Sequence, residues 1–223
     1  MKKIWPFTFS FLFFACVASV SPYMVLYYRG LGFTGAQIGL LTSISPLITL
    51  VCVPLWTGVA DATRQHRLIM GLIILVGVSL MSLFPWLKAF APVLLVSALF
   101  NFFFSPVSSF ADSATMVMLA DEKELYGRVR LGGTIGYGLT APVAGAIIQS
   151  YGLKWAFWSC AILMTLAFIV SRKLVYGQVK TDDPARSNVR VLLANSRLLI
   201  FLVLAIASGM RGLLLARQAW QSP

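Results

Sequence analysis

Long apolar runs separated by short polar clusters make up the hydrophobic pattern of this chain. Six runs that we predict to be transmembrane helices lie at 5–28, 37–60, 68–87, 92–119, 131–151 and 153–175, and a seventh candidate lies at 198–215. A helix needs about 20 apolar residues to cross the hydrocarbon core, whereas the strands of a membrane barrel alternate over about 10 residues. The pattern therefore predicts an all-α polytopic membrane protein.

The composition agrees with this class. Hydrophobic residues make up 59% of the chain and charged residues 11%, whereas a soluble domain carries roughly 25% charged residues. A formal net charge of +11 is typical of proteins that bind nucleic acid. Here, however, the basic residues lie between the apolar runs, as the positive-inside rule requires. We expect a lipid bilayer around the protein and no nucleic acid partner.

The Lys and Arg residues also predict the orientation. With the N-terminus inside, thirteen of the 18 fall in cytoplasmic segments and three in external loops. Such a bias places the N-terminus in the cytoplasm. The predicted cytoplasmic loops are 61–67, 120–130 and 172–197, and the location is a cell membrane of the bacterial inner-membrane type.

Side chains that would indicate catalysis or metal binding do not form a recognisable set. Cys16, Cys52 and Cys160 lie far apart inside apolar runs, without a CxxC pair. His66 is interpreted as a solvated residue of a basic turn. Neither a P-loop nor an HExxH motif is present. We predict no enzyme activity, no cofactor and no metal, and a process driven by an ion gradient rather than by nucleotide hydrolysis.

Two Ser-Pro pairs indicate an internal repeat. Ser21-Pro22 lies inside the first run and Ser105-Pro106 inside the fourth. The second and fifth runs both mix small residues with proline. This pattern suggests a duplicated three-helix unit, although proline and glycine are common in all transmembrane helices.

The turn after the second run, residues 58–67, resembles the signature of the major facilitator superfamily, a Gly-x-x-x-Asp-x-x-Gly-Arg-Lys turn at the cytoplasmic end of the second helix. Asp61 and Arg67 match it, whereas Thr57 and Arg64 stand where the two glycines are usual. The resemblance implies a cytoplasmic gate formed by Asp61, Arg64 and Arg67. The alternative is that Asp61 only caps a short loop.

Two further stretches, 21–39 and 126–136, resemble the phenylpropionate transporter and nucleoside/proton symporter branch of the same superfamily. The resemblance covers nearly all of residues 1–205. It implies a six-helix N-terminal transporter bundle at 1–175, a cytoplasmic linker at 176–196, and the start of a C-terminal half at 197–223. Because this half ends soon after it begins, we expect the chain to be truncated, with its C-terminal half missing.

Asp112 is the acidic residue placed inside an apolar run. A carboxylate within the membrane is costly, so it should face a partner or a water-filled cavity. One interpretation is a charge pair with Arg128 or Arg130. The other is a coupling site for protons or substrate.

Polar side chains recur on one face of the first run and on one face of the fourth. Since the first and fourth helices border the central cavity in this superfamily, the resemblance makes them candidate substrate contacts. They are Ser19, Tyr23, Tyr27, Asn101, Ser105 and Ser108. Contacts with lipid or with other helices are the alternative for the aromatic members.

Glycines in the fifth run indicate close helix packing. Small residues let membrane helices approach one another, and the candidates are Gly133, Gly136, Gly138 and Gly145. The contact could slide during transport or be static.

Together these patterns predict secondary active transport of a small organic solute by alternating access, with protons as one candidate for the coupling ion. A membrane sensor or scaffold of the same fold and an inactive fragment are the alternatives.

Overall fold

The computed structural model describes residues 4–120 and 122–177, which form an all-helical bundle. The α-helices are α1 (Ile4–Val20), α2 (Met24–Gly30), α3 (Gly35–Thr63), α4 (His66–Leu83), α5 (Phe90–Phe104), α6 (Pro106–Leu119), α7 (Tyr126–Tyr151) and α8 (Lys154–Ser171). Short 3-10 turns lie at Ser21–Tyr23, Phe84–Trp86 and Lys123–Leu125. The chain divides into one compact unit, Met1–Val179, and a second, Lys180–Pro223. The second unit and the predicted seventh helix lie outside the described residues.

The six predicted membrane spans are confirmed as helices long and apolar enough to cross a bilayer. They are Ile4–Gly30, Gly35–Thr63, His66–Trp86, Phe90–Leu119, Tyr126–Tyr151 and Lys154–Ser171. The fifth begins five residues before its predicted start, because Arg128 and Arg130 continue the helix. Long cationic side chains can extend from a helix end to the interface, so a charged residue does not mark the end of a helix.

Spans one and four are each interrupted at their Ser-Pro pair. Proline lacks the N–H that would bond to the carbonyl four residues earlier. At Pro106 this leaves the carbonyl of Phe102 without its helical partner, and the indole Nε1 of Trp56 on α3 donates to it at 3.1 Å. The break in span four is thus held by a hydrogen bond from the neighbouring helix.

Helix α1 packs between α7 and α8, and glycines set its distance from α7. A Cβ at Gly132 would lie 2.8 Å from the carbonyl oxygen of Phe7, and one at Gly136 would overlap the backbone of Phe11. At Gly133 it would overlap the ring of Phe14. Only glycine allows this approach of the two backbones.

The other two predicted packing glycines behave differently from each other. A Cβ at Gly145 would lie 3.0 Å from the hydroxyl of Tyr23, whereas one at Gly138 would meet nothing within 4 Å. The inclusion of Gly138 in the packing face was wrong, because this position lies on another side of α7.

Aromatic rings fill the centre of the bundle. Phe84 and Phe157 are fully buried and stack with their centroids 5.3 Å apart. Phe100 stacks on Phe104 at 4.8 Å, and Phe104 on Phe13 at 5.1 Å. This series of rings links α8 and the turn after α4 to α5 and α1, and it forms one wall of the site described next.

Candidate functional site

A cavity of about 470 Å³ lies between α1, α3, α5 and α6. One part of its wall is aromatic, with Phe13, Phe84, Phe100 and Phe104. Another part carries hydroxyl and amide side chains from three helices, and these are Thr42, Ser45, Thr49, Ser97, Asn101, Ser105 and Ser108. The cavity therefore has an apolar wall and a hydrogen-bonding wall.

The hydrogen-bonding wall is organised around Asn101. Ser45 Oγ donates to Asn101 Oδ1 at 2.6 Å, and Asn101 Nδ2 donates to the carbonyl of Ser97 at 2.8 Å. The hydroxyl oxygen of Ser105 is buried and has no hydrogen-bond partner among the described residues. Ser105 directly precedes Pro106, so the break in span four places this residue in the cavity wall.

Three of the predicted substrate contacts line this cavity, namely Asn101, Ser105 and Ser108. The other three do not line it. Ser19 is fully buried and donates to the carbonyl of Cys16 at 2.7 Å. Tyr27 donates to the carbonyl of Phe84 at 2.5 Å. The hydroxyl of Tyr23 lies 3.5 Å from the carbonyl of Ala141 on α7.

The cavity face of this span keeps regular helical spacing through the 3-10 turn, and its residues are Cys16, Val17, Val20, Ser21, Met24, Val25 and Tyr28. Ser19, Tyr23 and Tyr27 follow one another at intervals of four residues on a neighbouring face. Sequence spacing groups residues on a face, but it does not tell which face of the helix meets a cavity. Three further polar residues of the cavity wall were not among the predicted contacts, and these are Thr42, Ser45 and Thr49 of α3. Their spacing of three and four residues in an otherwise apolar run was the available signal.

Hydrogen bonds of the predicted gate residues go to other parts of the chain. Asp61, at the end of α3, lies 2.9 Å from Nε2 of His66, the first residue of α4. Arg64 is exposed and has a left-handed backbone with φ of 57°. Arg67 donates to the carbonyl of Arg172 beyond the end of α8. The turn is therefore bound to α8, and the partner of Asp61 is a histidine.

His66 is not solvated, contrary to the sequence interpretation, because its side chain is only 17% exposed. Its ring is stacked parallel to that of Tyr176 with 6.4 Å between the centroids, and it meets Phe110 edge to face at 6.3 Å. Burial raises the pKa of the Tyr176 hydroxyl well above its ordinary value. The N–H of Val175 donates to Met118 Sδ at 3.4 Å. The chain leaving α8 is thus packed against α4 and α6.

Asp112 on α6 faces Arg130 on α7, with Oδ2 of Asp112 3.0 Å from a guanidinium nitrogen of Arg130. The same nitrogen donates to the hydroxyl of Tyr126 at 2.6 Å. Arg128 instead lines a separate, mostly apolar cavity beside Ile4. Two residues apart on a helix point about 200° apart, so only one of the two arginines can face Asp112. The described residues contain no cluster of three or more His, Cys, Asp or Glu that could hold a metal ion.

The helical bundle agrees with what comparison with known proteins shows. Residues 5–214 match the MFS_1-like family. The chain belongs to this family of the major facilitator superfamily. The predicted superfamily and fold class are thereby confirmed, and the protein is a multi-pass membrane protein.

Several curated proteins resemble this member of the family over most of its length. It is 25% identical to the uncharacterized transporter YwbF of Bacillus subtilis over 87% of the chain and 49% of that protein. It is 26% identical to the maltose permease of Geobacillus stearothermophilus over 91% of the chain and 52% of the permease. It is 30% identical to the multidrug resistance protein MdtG of a Rahnella strain over 89% of the chain and 52% of that protein. The chain spans about half the length of these relatives.

The fold is that of a solved transporter. The structure of the nucleoside transporter NupG matches with a TM-score of 0.74 and 19% identity, over 91% of this chain and 53% of that one. This likeness fits the N-terminal half of a major facilitator protein.

Proposed function

We propose that the chain forms one half of a secondary transporter, which moves a small organic solute across the membrane by alternating access. The observation that carries the proposal is the cavity with one polar wall inside an otherwise apolar bundle. Hydroxyl and amide groups are costly to bury in a membrane without hydrogen-bond partners, and here they converge on a space large enough for a small molecule. The transporter relatives support the same function.

The orientation we propose has the N-terminus in the cytoplasm of a cell with a bacterial-type inner membrane. The distribution of Lys and Arg supports it. In this orientation the Asp61–His66 contact and the bond from Arg67 to α8 lie on the cytoplasmic side. They hold the ends of α3, α4 and α8 together within this half, so that these helices would move as one body when the two halves rock.

Transport is best tested with the chain extended by a second six-helix half, reconstituted in vesicles. We expect such vesicles to accumulate a solute, and a protonophore to abolish the accumulation if protons are the coupling ion. Vesicles with residues 1–223 alone should not accumulate any solute, because major facilitator sites lie between two halves. Concentrative uptake by the chain alone would contradict the proposal that it forms only one half of a transporter.

Asp112 is our candidate for proton coupling, through its ion pair with Arg130. In the extended protein, Asp112→Asn removes the charge and nearly preserves the shape, so transport should lose its pH dependence. Unchanged pH dependence would exclude the coupling role. If instead Asp112→Asn lowers expression and neutralising Arg130 as well restores it, the pair is structural, because a lone unpaired ion is what destabilises.

A further inference from the structure

The walls of the central cavity offer hydrogen bonds but no ionised group. Among the described residues that line it there is no carboxylate, guanidinium, ammonium or imidazole. The nearest acid along α6 is Asp112, about one helical turn beyond Ser108, and it is already paired with Arg130. An ion that left water for this cavity would lose its hydration without gaining a counter-charge from this half, which costs far more than burying a neutral polar group.

The polar wall has unused hydrogen-bonding capacity. Asn101 uses one lone pair for Ser45 and one N–H for the Ser97 carbonyl, and an amide has two of each. The Ser105 hydroxyl uses none among the described residues, although its oxygen is buried. A buried polar atom without a partner is destabilising, so a molecule that enters the cavity and bonds to these groups would remove that cost.

The opposite wall favours a flat apolar surface. Phe13, Phe104 and Phe100 form a continuous stack, with interplanar angles of 18° and 19° between neighbours. A ring could pack against this surface while groups on its edge reach Asn101 and, after the Ser105 side chain rotates about χ1, the Ser105 hydroxyl.

From this geometry we propose that the solute is uncharged and amphipathic, with a ring or other apolar face and hydroxyl or amide groups along one edge. Ser105 is its hydrogen-bonding contact in this half. The inference rests on the proposed transport function and narrows the substrate class within it.

The test measures binding to the purified chain in nanodiscs with probes matched in shape. One series keeps a phenylpropyl body and changes the charge, with 3-phenylpropanamide, 3-phenylpropionate and 3-phenylpropylammonium. Uridine and maltose add uncharged solutes with hydroxyl groups. We expect the best uncharged probe to bind at least about tenfold more tightly than either ion, because the ions lack a counter-charge.

Variants of Ser105 identify the contact. Ser105→Ala should weaken binding of the uncharged probe about 3- to 10-fold, the range expected for one hydrogen bond. Ser105→Thr, which retains the hydroxyl, should bind more tightly than Ser105→Ala. The matched control is Ser79→Ala. The exposed hydroxyl of Ser79 bonds to the carbonyl of Leu75 in its own helix, so this variant should bind the probe with wild-type affinity. Because the Ser105 hydroxyl has no partner in the described residues, Ser105→Ala should unfold at the wild-type temperature, whereas a structural role would lower it.

Two results would overturn the inference and leave the transport function standing. They are an ion that binds as tightly as the best uncharged probe, or Ser105→Ala with wild-type affinity. If a folded chain binds no probe of any charge, the solute site in this half is wrong, and the proposed function loses the observation that carries it.

Discussion

At the scale of single residues, Arg64 occupies a backbone conformation that arginine does not favour. It ends α3 with φ of 57°, in the left-handed region where a Cβ crowds the following carbonyl. In the superfamily signature that the turn resembles, a glycine is usual at this position. A glycine at this position adopts the left-handed backbone without strain. Arg64 adopts the same conformation at an energetic cost.

Replacing Arg64 by glycine should remove that cost. We expect Arg64→Gly to raise the free energy of unfolding by about 1 kcal/mol, because glycine adopts positive φ without the penalty of other residues. Unfolding of the purified chain in detergent, followed by circular dichroism, measures the change. Arg64→Ala is the matched control, since it removes the same charge but keeps a Cβ. Equal stabilisation by both variants would show that charge, and not backbone strain, is responsible.

At the scale of elements, the contact between α1 and α7 depends on the absence of side chains at particular positions of α7. Gly133 and Gly136 face α1, where any Cβ would overlap Phe14 or Phe11. Gly138, two residues further along, faces open space. The same residue type thus has different roles on two sides of one helix.

Alanine scanning of these glycines should separate the two roles. Gly136→Ala should destabilise the chain by about 1–3 kcal/mol, the usual cost of overpacking a close contact. Gly138→Ala should be neutral or slightly stabilising, since alanine is the better helix former. Thermal unfolding in detergent compares the two. Equal effects of the two substitutions would mean that α1 does not approach α7 as closely as described.

The link between α3 and the break in span four gives a second prediction at this scale. Trp56→Phe keeps an aromatic ring but removes the N–H that bonds to the Phe102 carbonyl. The chain should lose about 1 kcal/mol of stability, because a partly buried acceptor is left unpaired.

Pro106→Ala supplies a backbone N–H to that same carbonyl, so adding it to Trp56→Phe should recover part of the loss. Trp86→Phe is the control, since Trp86 is 76% exposed, and its stability should match the wild type. Equal stability of Trp56→Phe and Trp86→Phe would contradict the role of the indole bond.

At the scale of the whole molecule, six spans joined by short connections fix the relative direction of every helix. The polar connections alternate between the two ends of the bundle, so one experimental assignment determines all the others. The distribution of Lys and Arg predicts which end faces the cytoplasm.

Topology reporters test that orientation. Fusions after Thr34, Ala89 and Gly152 should report the external side, because they follow the first, third and fifth spans. Fusions within 61–67 and 120–130 should report the cytoplasm. A cytoplasmic signal at two of the three external sites would reverse the predicted topology.

Several features of the fold were predictable because they depend on local composition. Each span was located from its apolar run, and both helix breaks follow from the Ser-Pro pairs. From the sequence, either Arg128 or Arg130 could pair with Asp112. The two arginines point in nearly opposite directions on α7, so the partner is known only once the rotation of α7 is known, and the structure shows Arg130. His66 was misread because neither of its ring contacts, Phe110 and Tyr176, is near it in sequence.

By itself the sequence determined the membrane class, the number and position of the described spans and the superfamily. These properties follow from transfer of apolar side chains into lipid and from backbone hydrogen bonding, and both act within one helix. Only the tertiary structure decided which polar side chains share a cavity. The rotation of the first span turns Ser19 and Tyr27 away from it, and α3 brings Ser45 to Asn101 across 56 residues of chain. Such contacts depend on how helices rotate and pack against each other, which no single run of residues encodes.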